Sequence, residues 1–102
     1  MAADINLQAW LETDSATHPP IVTPYVQSAQ SQRIHYKILV VRKGRGGTSQ
    51  IGQGGSVTAQ AGLATALSQF SISVGRDDEC RIELMLITDD VTDSSYRFEC
   101  PR

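Results

Sequence analysis

Aromatic residues are scarce in this chain, and long apolar runs are absent. Phe, Trp and Tyr make up 6% of the 102 residues and apolar residues 40%, so the core must consist mainly of aliphatic side chains. No run approaches the ~18–20 apolar residues of a membrane-spanning helix, so we expect no membrane insertion. The start, Met-Ala-Ala-Asp, lacks the basic and apolar regions of a secretory signal. We interpret the chain as cytosolic or already trimmed to its mature form, with a single domain over residues 1–102.

A strong excess of basic residues is absent as well. Nine Lys and Arg residues against eleven Asp and Glu residues give a net charge of −2, which argues against a nucleic-acid-binding protein. The charges are nevertheless segregated along the chain: residues 1–14 carry −3, residues 15–76 carry +6 and residues 77–102 carry −5. A functional account must explain whether folding preserves this segregation.

Apolar residues alternate with polar ones in short runs bounded by turn residues, which is typical of an all-β protein. A first strand is predicted around residues 5–11 and a second over residues 21–29, where Pro24 indicates an edge or a bulge. The clearest alternation covers residues 33–41. A further strand is predicted over residues 66–74.

Residues 43–56 are rich in glycine, and Ile51 is their only apolar side chain. They predict a long, irregular hairpin connection with a short edge strand around residues 49–51. The segment does not match the phosphate-binding pattern G-x-x-x-x-G-K-[ST], so a phosphate cradle is not supported. A flexible loop and a partner-binding loop both remain open.

The two cysteines fall on the last predicted hairpin, in which one strand has Cys80, Ile82, Leu84 and Leu86 on one face and the next has Tyr96, Phe98 and Cys100 on one face. If its turn is centred at Asp90, the numbers of paired residues sum to 180, which places Cys80 opposite Cys100. In a non-hydrogen-bonded pair, the opposed Cβ atoms lie ~4.5–5.5 Å apart, near the range of a disulfide. We predict a structural disulfide, and hence an oxidising compartment, over two free buried thiols. The spacing matches neither a CxxC redox motif nor a zinc site.

Acidic residues and histidines offer little support for metal binding or catalysis. Two acidic clusters lie at opposite ends of one predicted strand of about ten residues. At ~3.3 Å per residue they are about 33 Å apart, so they cannot share an ion. Neither has EF-hand spacing, and turn capping is favoured over calcium binding. The clusters are Asp77, Asp78 and Glu79, and Asp89, Asp90 and Asp93. No nucleophile motif accompanies His18 or His35, so no enzymatic activity, cofactor or metal is predicted.

One group of basic residues is notable because no acidic residue interrupts it. Strand periodicity places Arg33 and Lys37 on one outer face, with the other members at the end of that strand and in the following loop. The group is predicted to form a continuous positive surface and consists of Arg33, Lys37, Arg42, Lys43 and Arg45. Two interpretations remain open: an ordinary solvated face, or a surface that steers an acidic partner.

Two stretches resemble the curli-assembly family of the CsgC and CsgH type. Residues 38–50 resemble its strand and Arg-x-Gly-x-x-Gly-x-Ser-Gln turn, and residues 70–84 resemble its strand, Asp-Asp turn and following strand. The resemblance covers roughly residues 30–88. It implies an immunoglobulin-like antiparallel β-sandwich of about seven strands. It also implies a periplasmic, non-enzymatic protein, its signal peptide removed, that holds secreted curli subunits in a non-amyloid state.

One departure from the family pattern is informative. CsgC has a Cys-x-Cys pair near the start of the third strand, where this chain has Gln32, Arg33 and Ile34. A thiol-redox role suggested for that motif therefore cannot transfer, and a thiol oxidoreductase is disfavoured. The resemblance is accordingly better to the CsgH branch.

The resemblance and the basic group together predict an inhibitor of curli amyloid formation. Its expected partner is the curli major subunit, and the protein is expected to act as a monomer. The basic residues would engage an acidic or amide-rich subunit, and strand pairing by residues 49–51 is a second route. An immunoglobulin-like adhesion or ligand-binding module is the alternative. Such a module would expose aromatic side chains at loop tips, for which Trp10 and Tyr25 are the candidates.

Overall fold

Two antiparallel sheets make up the computed structural model, which describes residues 7–88 and 93–101. The strands are β1 (Leu7–Asp14), β2 (Ile21–Ser28), β3 (Gln32–Gly44), β4 (Gly47–Ala59), β5 (Ala64–Ala66), β6 (Phe70–Ser71), β7 (Glu79–Thr88) and β8 (Asp93–Glu99). In the first sheet β2 pairs with β1, β5 and β6, and the second sheet has the order β4-β3-β7-β8. The predicted immunoglobulin-like β-sandwich is confirmed, with two short strands bringing the number to eight. Within the described residues, no helix is long and apolar enough to cross a membrane.

The core lies between the inner faces of the two sheets. Every second residue of β2 and of most of β3 is buried, as expected for strands that turn one face to the core. The first sheet contributes Val22 and Val26, both 0% exposed. Burial of one such aliphatic side chain stabilises the fold by roughly 1.5–3 kcal/mol. The second sheet contributes Ile34, Ile38, Val40, Ile82, Leu84 and Leu86.

Pro24 lies in the middle of a sheet, but at a point where no neighbouring strand needs its missing N–H. The Pro24 carbonyl accepts a hydrogen bond from the Leu67 N–H at 2.8 Å, on the side of β2 away from β1. β5 pairs with residues 25–27 of β2 and β6 with residues 21–22, so the ladder is interrupted at Pro24. Because the ladder is interrupted here, the missing N–H of Pro24 breaks no ladder hydrogen bond, just as it would break none at the predicted edge.

The long, irregular connection predicted over residues 43–56 is wrong, because most of this segment is strand. β4 pairs with β3 residue for residue, from Gln32 opposite Ala59 to Gly44 opposite Gly47. The two strands contain 13 residues each and are joined by a two-residue turn. The predicted edge position around residues 49–51 is correct, since β4 is at the edge of its sheet. Both faces of β4 are largely exposed, so its sequence carries no apolar alternation.

The strand predicted over residues 66–74 is largely wrong. Only Ala64–Ala66 and Phe70–Ser71 pair as strands. The following residues carry the chain from the first sheet to the second, and the Ile72 N–H donates to the Pro20 carbonyl at 3.3 Å. Ile72 is nevertheless buried. The apolar alternation therefore reflects packing against the core rather than pairing with another strand.

The predicted pairing of the last hairpin is confirmed. Ile82 is opposite Phe98 and Leu84 is opposite Tyr96, so paired numbers sum to 180. Cys80 and Cys100 form the predicted disulfide, with Cα atoms 5.4 Å apart. The Cys100 N–H donates to the Cys80 carbonyl at 3.4 Å, so this is a hydrogen-bonded pair, not the non-hydrogen-bonded pair assumed. The predicted turn centre at Asp90 lies outside the described residues.

Candidate functional site

β3, β4 and the turn between them form one long hairpin, residues 32–59, which we call the basic hairpin. It contains all five predicted basic site residues and no acidic residue. The long pairing arises because β3 has a buried inner face that fixes its register, and β4 can pair with it over 13 residues. Five of the six cations of residues 15–76 therefore lie on a single structural unit.

The outer face of β3 presents most of this charge to solvent. Arg33, Lys37 and Lys43 lie at odd-numbered positions and are exposed, whereas the even-numbered positions from Ile34 to Val40 point into the core. Arg45 lies in the two-residue turn at the end of the hairpin and is also exposed. We call these four side chains the basic stripe.

The basic stripe is extended rather than compact. Arg33 and Arg45 are twelve residues apart on one strand and its turn, which corresponds to about 40 Å at ~3.3 Å per residue. The longest dimension of the molecule is 43 Å. The stripe therefore runs along nearly the whole length of the protein, a shape that suits an elongated partner.

Arg42 is separated from the basic stripe. It lies at an even-numbered position on the other face of β3, where its Nη1 donates a hydrogen bond to the Ser73 carbonyl at 2.5 Å. This contact fastens the end of β3 to the segment that connects β6 with β7. The structure thus gives Arg42 an internal contact in addition to its charge.

Replacement of Arg42 by glutamine should lower the free energy of unfolding by about 1 kcal/mol, because the shorter side chain loses its hydrogen bond to Ser73. Urea unfolding followed by circular dichroism measures the change. The matched control is Lys43→Gln, which removes the same charge one residue later on the outer face and should cost less than about 0.5 kcal/mol. Equal losses in the two variants would contradict this role for Arg42.

The two sides of the basic stripe differ in charge. On the β7 side, Lys43 is opposite Glu79 and Leu39 is opposite Glu83. Glu83 also pairs with Arg81 at 2.7 Å and with Arg97 at 3.8 Å. On the other side lies β4, which contains neither a charged residue nor a proline. The β7 side of the stripe therefore carries charges of both signs, whereas the β4 side carries none.

A shallow trough of about 700 Å³ lies on the outer face beside the basic stripe. Gly52 and Gly54 of β4 form one side of it, opposite Leu39 and Lys37 of β3. Met85 of β7, 41% exposed, forms part of the other side. This trough was not predicted from the sequence. Its only sequence signal, two glycines at alternate positions, acquires meaning once the register with β3 is known.

The remaining candidates do not converge on a reactive site. His18 and His35 are exposed, and the carboxylate of Asp78 accepts the Gly75 N–H at 2.8 Å, the turn-capping role predicted for it. No group of three potential metal ligands comes together within the described residues. Of the second acidic cluster, Asp89, Asp90 and the side chain of Asp93 lie outside them.

Trp10 and Tyr25 do not stand at loop tips. They are paired across β1 and β2, and their rings stack with centroids 5.7 Å apart and planes 10° apart. Each is half-buried by this arrangement. The aromatic signal on which the adhesion-module alternative depends therefore belongs to a cross-strand pair on the outer face of the first sheet.

The fold and the site together define an immunoglobulin-like β-sandwich with one disulfide and a long basic hairpin at the edge of one sheet. Residues 1–93 match the family model Tafi-CsgC, described as thin aggregative fimbriae synthesis protein, and the chain belongs to this family.

Two solved structures show the same fold. The curli protein CsgC of E. coli is 24% identical, with a TM-score of 0.77 over 90% of this chain and 97% of that one. The solution structure of R. palustris CsgH is 17% identical, with a TM-score of 0.72 over 91% of each chain. No curated protein matches the sequence. The predicted resemblance to the CsgC and CsgH type is thus confirmed, but these two structures do not show the expected closer match to CsgH, because CsgC has the higher identity and the higher TM-score.

Proposed function

We propose that this protein is a non-enzymatic, chaperone-like inhibitor of amyloid formation by curli subunits. It acts as a monomer in the periplasm and binds the unfolded or oligomeric major subunit transiently. Membership of the curli-related family supports the connection to curli. The Cys80–Cys100 disulfide supports an oxidising compartment, as found in the bacterial periplasm.

The observation that carries the proposal is the basic hairpin, which holds five cations and no acidic residue. Its stripe of Arg33, Lys37, Lys43 and Arg45 gives a positive field along one side of the molecule, to which Arg42 adds. Such a field raises the rate of encounter with an acidic or amide-rich chain by ~10- to 1,000-fold at low ionic strength. Fast and reversible encounter suits an inhibitor that works below the concentration of its partner.

Bound subunits are withheld from the step that builds the fibril. Cross-β structure grows when identical segments of many chains pair laterally as strands. A subunit segment held against the 43 Å long sandwich is not available, on the side that faces the sandwich, for pairing with another subunit. We therefore place the effect on the lag phase, when the first paired strands form.

A fibrillation time course of the curli major subunit with substoichiometric amounts of this protein tests the proposal. We expect a longer lag in about 0.01 M salt, where the Debye length is ~30 Å, and a smaller effect in 0.15 M salt, where it is ~8 Å. An unchanged lag in both conditions would contradict inhibition. A lengthened lag that does not depend on salt would retain inhibition and exclude steering by charge.

A further inference from the structure

We infer that the open edge of β4 is a strand-addition site. An extended segment of the subunit, lacking Lys and Arg, pairs with this edge and places a large apolar or aromatic side chain in the trough beside Gly52 and Gly54. The identity of the partner rests on the proposed function. The site itself follows from the main-chain and side-chain geometry of the basic hairpin.

The direction of the main-chain groups can be traced across the second sheet. In an antiparallel sheet, the N–H and C=O of successive residues point alternately to one neighbouring strand and to the other. The Cys80 carbonyl accepts a hydrogen bond from the Cys100 N–H, so the main-chain groups of even-numbered residues of β7 point towards β8. Those of odd-numbered residues of β7 point towards β3. The alternation continues through β3, so odd-numbered residues of β4 face β3. The residues of β4 whose N–H and C=O face the open edge are therefore Thr48, Gln50, Gly52, Gly54, Ser56 and Thr58.

This edge lacks the usual protection against pairing with another chain. Exposed edge strands are commonly short or carry lysine, proline or a bulge. β4 has 13 residues, none of them charged or proline, and it pairs with β3 in an unbroken register. Within residues 7–88 and 93–101, no strand pairs with its other side. An extended peptide is the partner whose own main chain complements such an edge.

The two glycines provide a place for a side chain of the added strand. An ideal Cβ at Gly52 would have no atom within 4 Å, so the space above this residue is open. Gly52 is opposite Leu39, whose half-buried side chain lies on the same face. An aromatic or large aliphatic side chain on a neighbouring strand can cover an edge glycine of this kind and gain apolar contact.

The charges beside the edge select against a basic segment. Lys37 is opposite Gly54, and its Cγ lies 3.9 Å from the position that a Cβ of Gly54 would occupy. Its side chain therefore lies next to a residue that has no side chain to separate it from the open edge. With Arg33 and Lys43 on the same face, an incoming Lys or Arg would meet like charges.

Amide hydrogen exchange followed by NMR tests the proposal with the freshly desalted curli major subunit as the probe. We expect saturating subunit to slow exchange at least tenfold at the six even-numbered amides from Thr48 to Thr58. The odd-numbered amides between them, already bonded to β3, should change little. A lengthened fibrillation lag without this alternate protection would overturn strand addition and leave the proposed function intact. An unchanged lag would contradict the proposed function, whatever the amides show.

A proline at the edge supplies the matched variants. Gly52→Pro removes an N–H that faces the open edge and no bond to β3, and should weaken subunit binding at least tenfold. Gly52→Ala keeps the N–H and adds a methyl group to the trough, so it should weaken binding less than Gly52→Pro does. Equal binding by both variants would overturn the proposal. If Gly52→Pro fails to fold, the exchange pattern of the unchanged protein decides.

A second copy of this chain is the competing occupant of the edge. Protection of the even-numbered amides that appears without the subunit and rises with protein concentration would mean that two copies pair through β4. Sedimentation velocity over the same concentrations would then show a dimer. That result would overturn the assignment of the edge to a curli segment.

Discussion

Replacing both cysteines with serine should lower the free energy of unfolding by about 3 kcal/mol, because the bridge closes a loop with a sequence separation of 20. In a domain of about 100 residues, each kcal/mol corresponds to ~4–8 °C, so Tm should fall by roughly 12–24 °C. The bridge joins Cys80, at the start of the long strand β7, to Cys100, directly after β8. Loss of the bridge raises the conformational entropy of the unfolded chain and also removes a covalent link between the ends of β7 and β8.

Differential scanning calorimetry with and without reductant measures this effect. The unchanged protein in reductant should approach the Tm of the Cys80→Ser, Cys100→Ser variant, and reductant should leave the variant itself unaffected. A decrease of less than about 5 °C in the variant would mean that the aliphatic core alone holds the last hairpin. Thiol titration under denaturing, non-reducing conditions should find no free cysteine in the unchanged protein.

Neutralising the exposed cations of β3 is the second change with a large expected effect. The triple variant Arg33→Gln, Lys37→Gln, Lys43→Gln should reduce the rate of association with the curli major subunit about tenfold or more at low ionic strength. All three side chains are exposed on the outer face, so Tm should change by only a few degrees. Stopped-flow fluorescence at several salt concentrations gives the rate and its salt dependence.

A second triple variant controls for net charge. Gln8→Glu, Ala64→Glu and Gln69→Glu make the same change of −3, at exposed positions outside the basic hairpin. We expect this control to associate within about threefold of the unchanged protein, because its added charges lie on or beside the first sheet, farther from a partner on the basic stripe, and the Coulomb energy falls with distance. If the two triple variants reduce the association rate equally, net charge rather than the basic stripe would govern association.

The fold was predictable where one face of a strand is buried. Ile82 and Leu84 alternate with polar residues, and this pattern fixes the pairing with Phe98 and Tyr96 because a shift of one residue would expose the apolar set. β4 gave no such signal. Its side chains are mostly exposed on both faces, and only Ala59 at its end is fully buried. β4 is stabilised by main-chain hydrogen bonds to β3, and these leave no pattern of apolar residues in the sequence.

The candidate site was predictable in part for the same reason. Period-two spacing correctly grouped Arg33 and Lys37 on the outer face of β3. It could not show that Arg42 reaches across to the Ser73 carbonyl, since that contact depends on the connection between the sheets. The open edge and the trough beside Gly52 depend on strand order and register, which are properties of the assembled sheet.

The most direct test of the account compares fibrillation lag times in one experiment. The curli major subunit is incubated at low ionic strength alone, with the unchanged protein, with the neutralised triple variant and with the acidic control triple variant. We expect a long lag with the unchanged protein and with the control, and a lag close to that of the subunit alone with the neutralised variant. Equal lengthening of the lag by all three proteins would contradict a role for the basic stripe.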